Sequence, residues 1–401
     1  MESPKDHLAG YLRGLVVLVA VQAALGFVIG SAYRPTVANA HFDVAAMRPS
    51  YELDLHYAGT AVLILGSLAL VVAMVAKARY AELSKAWYGL LIVFLGSLGA
   101  QITGNLLPWD RHDVQTVAVE ASIAARTPIV GPTLSEQMLG GSEVGQNTLT
   151  RWFAVHQFVI PAALLGGCVL ILMGLGKRRH PTWTFAAPTI AALALAVILK
   201  APTGSGATAT DAASFDALPG WYVWPMHGAL RGAESISTSL GWLGFALLPG
   251  LCVAYLFLLP KLHARLGDEP LRKTGMGLGL TLLGCGLIFA GPCAPITGNQ
   301  DPSDYKPADQ GLPTKAIDAA LAARGKELFN SVGCRKCHVI DGPGKGIRLD
   351  GVNRKYPNPQ FYIDFLENPS RIKPGTTMPQ FPNLNEEDRK ALAEYLRQPR
   401  N

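Results

Sequence analysis

Residues Ala58–Ala76 read AGTAVLILGSLALVVAMVA, a run without one charged side chain. Its length is close to the roughly 20 apolar residues that cross a bilayer as a helix. Similar runs flank it on both sides, at Gly14–Gly30, Tyr88–Leu106, Phe153–Leu175, Ala186–Leu199, Leu240–Leu259 and Gly275–Ala290. Together they predict an all-α, polytopic membrane bundle of seven transmembrane helices. Only 16% of the 401 residues are charged, so most of the chain has to sit in lipid or in a large core. Past Pro292 the pattern turns polar, Pro-rich and mixed in charge, and a small separate helical domain is expected there.

The first apolar run follows a basic start, as a secretory signal would. No small-residue cleavage site follows closely. Gly30-Ser31-Ala32 leads into Tyr33-Arg34-Pro35, so the run is read as an uncleaved first helix. With the N-terminus cytoplasmic, the cytoplasmic pieces are that terminus and the connections near 77–87, 176–182 and 260–274. They carry Lys5, Arg13, Lys77, Arg79, Lys85, Lys177, Arg178, Arg179, Lys261, Arg265, Arg272 and Lys273. The longer opposite loops carry fewer Lys and Arg, which is the positive-inside bias. The expectation is a bacterial inner (cytoplasmic) membrane, with everything after Ala290 periplasmic. The net charge of +6 is thus mostly an orientation signal. The basic residues cluster at helix ends rather than with aromatics on one face, so nucleic acid is not an expected partner.

Two of the six cysteines stand apart. Cys168, Cys252, Cys285 and Cys293 lie in or beside apolar runs and read as small apolar residues. Cys334-Arg335-Lys336-Cys337-His338 has the spacing for covalent haem c attachment. The two thiols reach the porphyrin vinyl groups and His338 ligates the iron. A zinc site would need a second Cys or His pair, and neither residue occurs after His338. Met378, in Gly375-Thr376-Thr377-Met378-Pro379, is the only later methionine and the candidate sixth ligand. A thioether opposite histidine raises the haem potential. Helices are predicted at Ala320–Asn330 and Glu386–Arg397, the latter with Leu392, Tyr395 and Leu396 on one face. This stretch resembles the single-haem class I cytochromes c over about 80 residues.

Ionisable residues inside spans are expensive and default to function. His56 and His156 begin the second and fourth apolar runs on the same side of the membrane, so they suit a bis-histidine haem b. The bland alternative is a pair of histidines bonded to backbone carbonyls.

Several motifs then resemble the cytochrome b subunits of quinol-oxidising complexes. They are Gln22-x-x-x-Gly26 with Tyr33-Arg34-Pro35-Thr36-Val37; Gly104-Asn105-Leu106-Leu107-Pro108-Trp109-Asp110; Gly145–His156, which includes Arg151, with Pro161 beyond; and Pro219-Gly220-Trp221-Tyr222 with Pro225 and Ala229-Leu230-Arg231. The resemblance extends over about residues 10–290 and implies both parts of a split cytochrome b fused to a cytochrome c. It divides the chain into 1–180 (a four-helix haem-binding bundle), 181–292 (a three-helix part), 293–319 (a tether) and 320–401 (the cytochrome c domain). It implies haem b on His56 and His156 with Gly26 and Arg151 at the cofactor. It also implies a quinol pocket formed by the loops 109–149 and 201–238, with Trp221, Tyr222, Asp110 and His227 as candidate catalytic residues.

The departures from that family matter. A second histidine pair would stand at Leu70 and at Leu170, whose neighbours are Val169 and Ile171; none can ligate iron. Position 18, where a cysteine could anchor an extra haem, is Leu18. One haem b is therefore expected, with electrons on a single path to a soluble or membrane-bound acceptor. The family's quinol-site acid is replaced by Gly220, leaving Asp110, His112, Asp113, Glu120, Asp216 or His227 to take a proton, with His227 foremost. No cysteine–histidine pairs for a Rieske cluster are present, so any iron–sulfur centre has to come from another chain. A multi-subunit complex acting on membrane quinone is implied, with a dimer among its possible forms. The competing reading is a non-catalytic membrane anchor and electron-transfer subunit with a degenerate quinone site.

Overall fold

In the computed structural model, residues 6–141, 144–202, 204, 206, 207, 219–234, 236, 237, 240–290, 317–336, 338–341, 347–349, 352–356, 358–372, 378, 381 and 384–399 are described. They divide into two compact units: residues 1–113, 140–206 and 248–281 in the first, and 114–139, 207–247 and 282–401 in the second.

The chain is a multi-pass membrane protein. Among the described residues, five helices are long and apolar enough to cross a membrane: α1 His7–Ser31, α3 Tyr51–Ala76, α5 Ser84–Gly104, α8 Gln146–Leu175 and α11 Leu243–Leu266. The short α2 (Ala40–Met47) and α4 (Arg79–Glu82) connect them, and α6 (Arg111–Ala125), α7 (Gly131–Leu139) and α10 (Trp224–Glu234) lie in stretches read from sequence as loops. Of the two remaining expected spans, α9 (Thr182–Ile198) is shorter, with Pro188 inside it. The other is α12 (Asp268–Cys285), continued by a π-helical turn at Gly286–Ala290.

In the first unit α1, α3, α5, α8 and α9 surround one apolar core that includes Leu12, Leu15, Val71, Met74, Trp87, Leu90 and Ile171. The outward faces are also apolar: Phe27, Leu65, Val72, Phe158 and Val169 are all more than half exposed. That is the pattern of a bundle solvated by lipid, where backbone groups are satisfied within each helix. The ends of α1 and α5, and the starts of α3 and α8, meet at one end, called here the histidine end. There Lys200 pairs with Asp54 at 2.9 Å, joining the end of α9 to the first turn of α3. At the opposite end Arg13 donates to the carbonyls of Gly176 and Arg178, satisfying the C-terminus of α8. Arg79 pairs with Asp6 and Arg178 with Glu82 nearby.

α5 and α8 approach more closely than any side chain allows. A Cβ on Gly89 would run into the Gly167 carbonyl, and one on Gly174 into the Ala86 backbone. Small residues at such a seam let van der Waals packing hold helices together in lipid.

The C-terminal helical domain within the second unit is built on α13 (Ala319–Ser331) and α17 (Glu386–Leu396), each within a residue or so of its predicted bounds. Gly325 lets α13 lie on the Ala391 carbonyl, and Phe329 meets Tyr395 edge-on at 5.5 Å. Leu392, Tyr395 and Leu396 are buried together, as their spacing predicts. α14 (Val352–Lys355), α15 (Pro359–Glu367) and α16 (Pro369–Ile372) complete the domain, with Phe361 stacked on Tyr356 at 3.9 Å. The only ladder among the described residues is parallel, His338–Val339 with Ile347–Arg348.

Candidate functional site: a bis-histidine pocket and an attached cytochrome c

His56 stands in the second turn of α3 and His156 lies within α8, and their rings face each other. The centroids are 6.1 Å apart and the planes 79° apart. Two imidazoles on one metal ion, each bonded at about 2 Å, need a separation of that size. α8 makes a π-helical turn at Val155–Val159 around His156. Pro161 has no N–H to return to the turn before it, and a single π turn is a common way for a helix to absorb such a break, often at functional sites.

Both rings are held from behind. The Thr103 hydroxyl lies 2.9 Å from His156 Nδ1 and donates to the Gly99 carbonyl at 2.7 Å. It therefore accepts from Nδ1–H, and Nε2 carries the free lone pair. Such an outer partner fixes tautomer and ring orientation in metal-binding histidines. His56 Nδ1 is buried beside the Gln22 carbonyl without a hydrogen bond of normal geometry. The Gln22 side chain donates to the Leu55 carbonyl and fills the space over Gly59, tying α1 to the turn that carries His56.

The space between the helices is a cavity of ≈ 880 Å³, counting its open mouth. Gly26, Gly104, His56, His156, Asn105 and Asp113 are in its wall. A Cβ on Gly26 would sit 3.3 Å from the His56 ring, and one on Gly104 would sit 2.9 Å from the His156 ring. Glycine at these two places keeps the flanks of the imidazoles open for a flat macrocycle. The donor set and the cleared flanks fit a haem. Arg151 is not in this wall; it is exposed and lies against Gly140.

About four turns away along each helix the same faces are filled. Leu12 and Leu90 are fully buried below Gly26 and Gly104, and Leu70 packs against the same core below His56. The π turn shifts the phase of α8 by one residue, so the side chain below His156 is the fully buried Ile171 rather than the half-buried Leu170.

Residues 7–178 match the family model described as Cytochrome b/b6/petB, and residues 322–399 match that for Cytochrome c. Cytochrome b6 of Tupiella akineta is 31% identical over 152 residues, 36% of this chain and 70% of that protein. The chain belongs to the cytochrome b/b6 family. The menaquinol:cytochrome c reductase cytochrome b subunit of Geobacillus thermodenitrificans is 29% identical over 175 residues, covering 41% of this chain and 78% of that protein. A hyperthermophilic respiratory Complex III chain aligns with a TM-score of 0.48 at 18% identity, over 72% of this chain and 91% of that one. A cytochrome b part and a cytochrome c part in one chain imply haem b and haem c, and a role in electron transfer linked to quinol.

In the cytochrome c part, Cys334 is buried in the same apolar cluster that Met378 packs against, and His338 opens the short ladder. Cys337 lies outside the described residues. Asp216, one of the candidate proton acceptors, does as well.

The second unit brings two of the candidate proton carriers together. His227, expected in a loop, is on α10 and buried; its Nε2 is 2.8 Å from Glu120 Oε1. Gly228 lets α10 lie directly on the Cys285 carbonyl, which fixes the height of His227, and Phe245 meets its ring edge-on. Glu234 bonds Arg126 at 2.6 Å nearby. Burial pushes the Glu234 carboxyl upward, against the pull of Arg126 and Arg231. Trp221 and Tyr222 form a short 3₁₀ turn with their rings edge-to-face at 5.7 Å. The Tyr222 ring occupies the space that any side chain at Gly220 would need. In the first unit, Asp110 and Asp113 bond each other's backbone N–H reciprocally at the start of α6. His227, Glu120, Asp110 and Asp113 stand out in the sequence as proton carriers, but Glu234 and Arg126 do not, and nothing there pairs His227 with Glu120, 107 positions away.

Proposed function

We propose that the chain oxidises quinol and delivers the electrons along one linear, non-bifurcating path to a soluble periplasmic acceptor, with one haem b and one covalent haem c as carriers. The observation that carries this reading is the filled half of the bundle, where Leu12, Leu90, Leu70 and Ile171 take the places that mirror Gly26, Gly104, His56 and His156. A bundle cleared beside His56 and His156 and filled beside Leu70 and Ile171 supports one carrier inside it, and no relay to the other membrane face. When bound, the haems supply one-electron carriers whose potentials follow their axial ligands and burial.

The chain's own residues supply the rest. His56 and His156 would hold haem b, with Thr103 and Gln22 orienting them; Cys334, Cys337, His338 and Met378 would hold haem c. His227 takes the quinol proton in place of the missing acid at 220, accepting it on Nδ1 while Glu120 holds Nε2–H and stabilises the imidazolium. Trp221 and Tyr222 line the approach. The basic end of the bundle is cytoplasmic and the histidine end periplasmic, in a bacterial inner membrane. Domain limits at 180, 292 and 319, an iron–sulfur subunit from another chain and a multi-subunit complex belong to the same reading.

The test is a pyridine haemochrome count on the purified chain, followed by quinol oxidation in the variant Glu120→Gln. One b and one c are expected, with turnover falling about 10²–10⁴-fold in the variant. Two b haems would restore a bifurcating path. The Tyr222 ring over Gly220 favours one alternative, an anchor and wire with a degenerate quinone site. A chain that holds both haems yet binds neither quinone nor a quinol-site inhibitor would establish it.

A further inference from the structure

The wall of the bis-histidine cavity contains an acid that haem ligation does not use. Asp113 is 7% exposed and Asp110 4%. The Asp113 N–H donates to Asp110 Oδ1 at 2.9 Å, the Asp110 N–H donates to Asp113 Oδ2 at 3.1 Å, and the Gly204 N–H donates to the other Asp110 oxygen. Reciprocal bonds of this kind ordinarily cap a helix, with both side chains in water. Here Gly204 and Gly206 both meet Asp110 at the helix start, Gly206 through a β-bridge. Asp113 is left facing the cavity that His56 and His156 share.

We propose that Asp113 is the proton-binding group coupled to reduction of the cofactor held by His56 and His156. The inference rests on the haem b reading above. One electron entering the cavity makes it more negative by one charge, and one proton from solvent at the cavity mouth joins Asp113 Oδ; oxidation reverses both. Each carboxyl is held against the other residue's backbone N–H, and burial and the Asp110 charge together push the Asp113 carboxyl well above the ordinary carboxylate range. The other titratable groups that face it are Tyr33, whose own ionisation Asp113 disfavours, and Tyr57, His56 and His156 in the same wall. Of these, only a carboxyl can take up and release a proton without removing an iron ligand or ionising a phenol.

The experiment is a spectroelectrochemical titration of the b-type band in the intact chain across pH, for the wild type, Asp113→Asn, Asp113→Glu and Asp110→Asn. The wild-type potential is expected to fall by up to about 59 mV for each tenfold drop in proton activity, the one-electron conversion. Asp113→Asn should flatten that dependence and Asp113→Glu should keep it. Asp110→Asn should move the sloping window to lower pH, since the neighbouring charge is gone. An unchanged slope in Asp113→Asn overturns the inference while leaving the haem b reading intact. If Asp113→Asn does not assemble, an unmoved window in Asp110→Asn overturns it. No b-type band in the wild type overturns both.

Discussion

The imidazoles of His56 and His156 stand nearly perpendicular, 79° between planes, with centroids 6.1 Å apart. They come from helices that start at the same end of the bundle, and each is the nearest neighbour of a glycine on a third or fourth helix. His56→Ala and His156→Ala should each remove the b-type spectrum. The haem stain on a denaturing gel, which reports Cys334 and Cys337, should stay at the wild-type level. Loss of both signals together would mean the two sites do not fold independently.

Thr103 holds His156 through a single hydroxyl. Thr103→Val keeps the shape and removes the hydroxyl that accepts from Nδ1–H, leaving the Ala100 backbone carbonyl as the ring's remaining partner and the ring less firmly oriented. Transfer of haem b to an apo-globin should be about 10-fold faster or more, while Thr103→Ser should behave as wild type. Equal transfer rates would show that packing alone orients the ring.

Gly89 marks the seam between α5 and α8. Gly89→Leu drives a side chain into the Gly167 carbonyl, an overpacking that costs roughly 3 kcal/mol or more where backbone has to move. Thermal bleaching of the b-type band should come at a clearly lower temperature than in the wild type. Leu65→Ala, on the exposed face of α3, should leave it nearly unchanged.

Asp43 accepts from the Arg34 side chain and backbone N–H, and the Arg34 guanidinium holds its carboxyl below the usual range against the effect of burial. A carboxyl depressed in the folded state stabilises at every pH above its unfolded value, about 4, and loses that contribution as pH falls through the folded value. The melting temperature of the wild type should therefore decline faster below about pH 4 than that of Asp43→Asn. Parallel acid limbs would show that the pair contributes nothing measurable.

The helices and the candidate haem ligands stand out in the sequence because their signals are local. An uninterrupted apolar run such as Ala58–Ala76 needs no distant partner, and neither does a Cys-x-x-Cys-His motif. The span expected at Gly275–Ala290 was harder: its helix begins earlier, at Asp268, and takes in Glu269, Arg272 and Lys273, so apolarity alone misplaces its start. α6 and α7 were read as loop because their residues are polar and their helicity depends on what they pack against. The pairing of His227 with Glu120, and of Asp110 with Gly204, joins segments about a hundred positions apart, which no periodicity records. Pro161 stands beside the π turn, whose effect on which residue lies beneath His156 emerges only from the folded helix.

With that turn in it, α8 behaves as two rods joined by a swivel. Its first half answers to the imidazole opposite, and its second half to the glycine seam with α5. Deleting one residue between Val155 and Val159 would leave an ordinary α turn with His156 still above Ile171, whereas deleting one from the regular turns after Pro161 would turn the imidazole through about 100° relative to the seam. The direction in which His156 faces is thus set by a count of residues as much as by their identity.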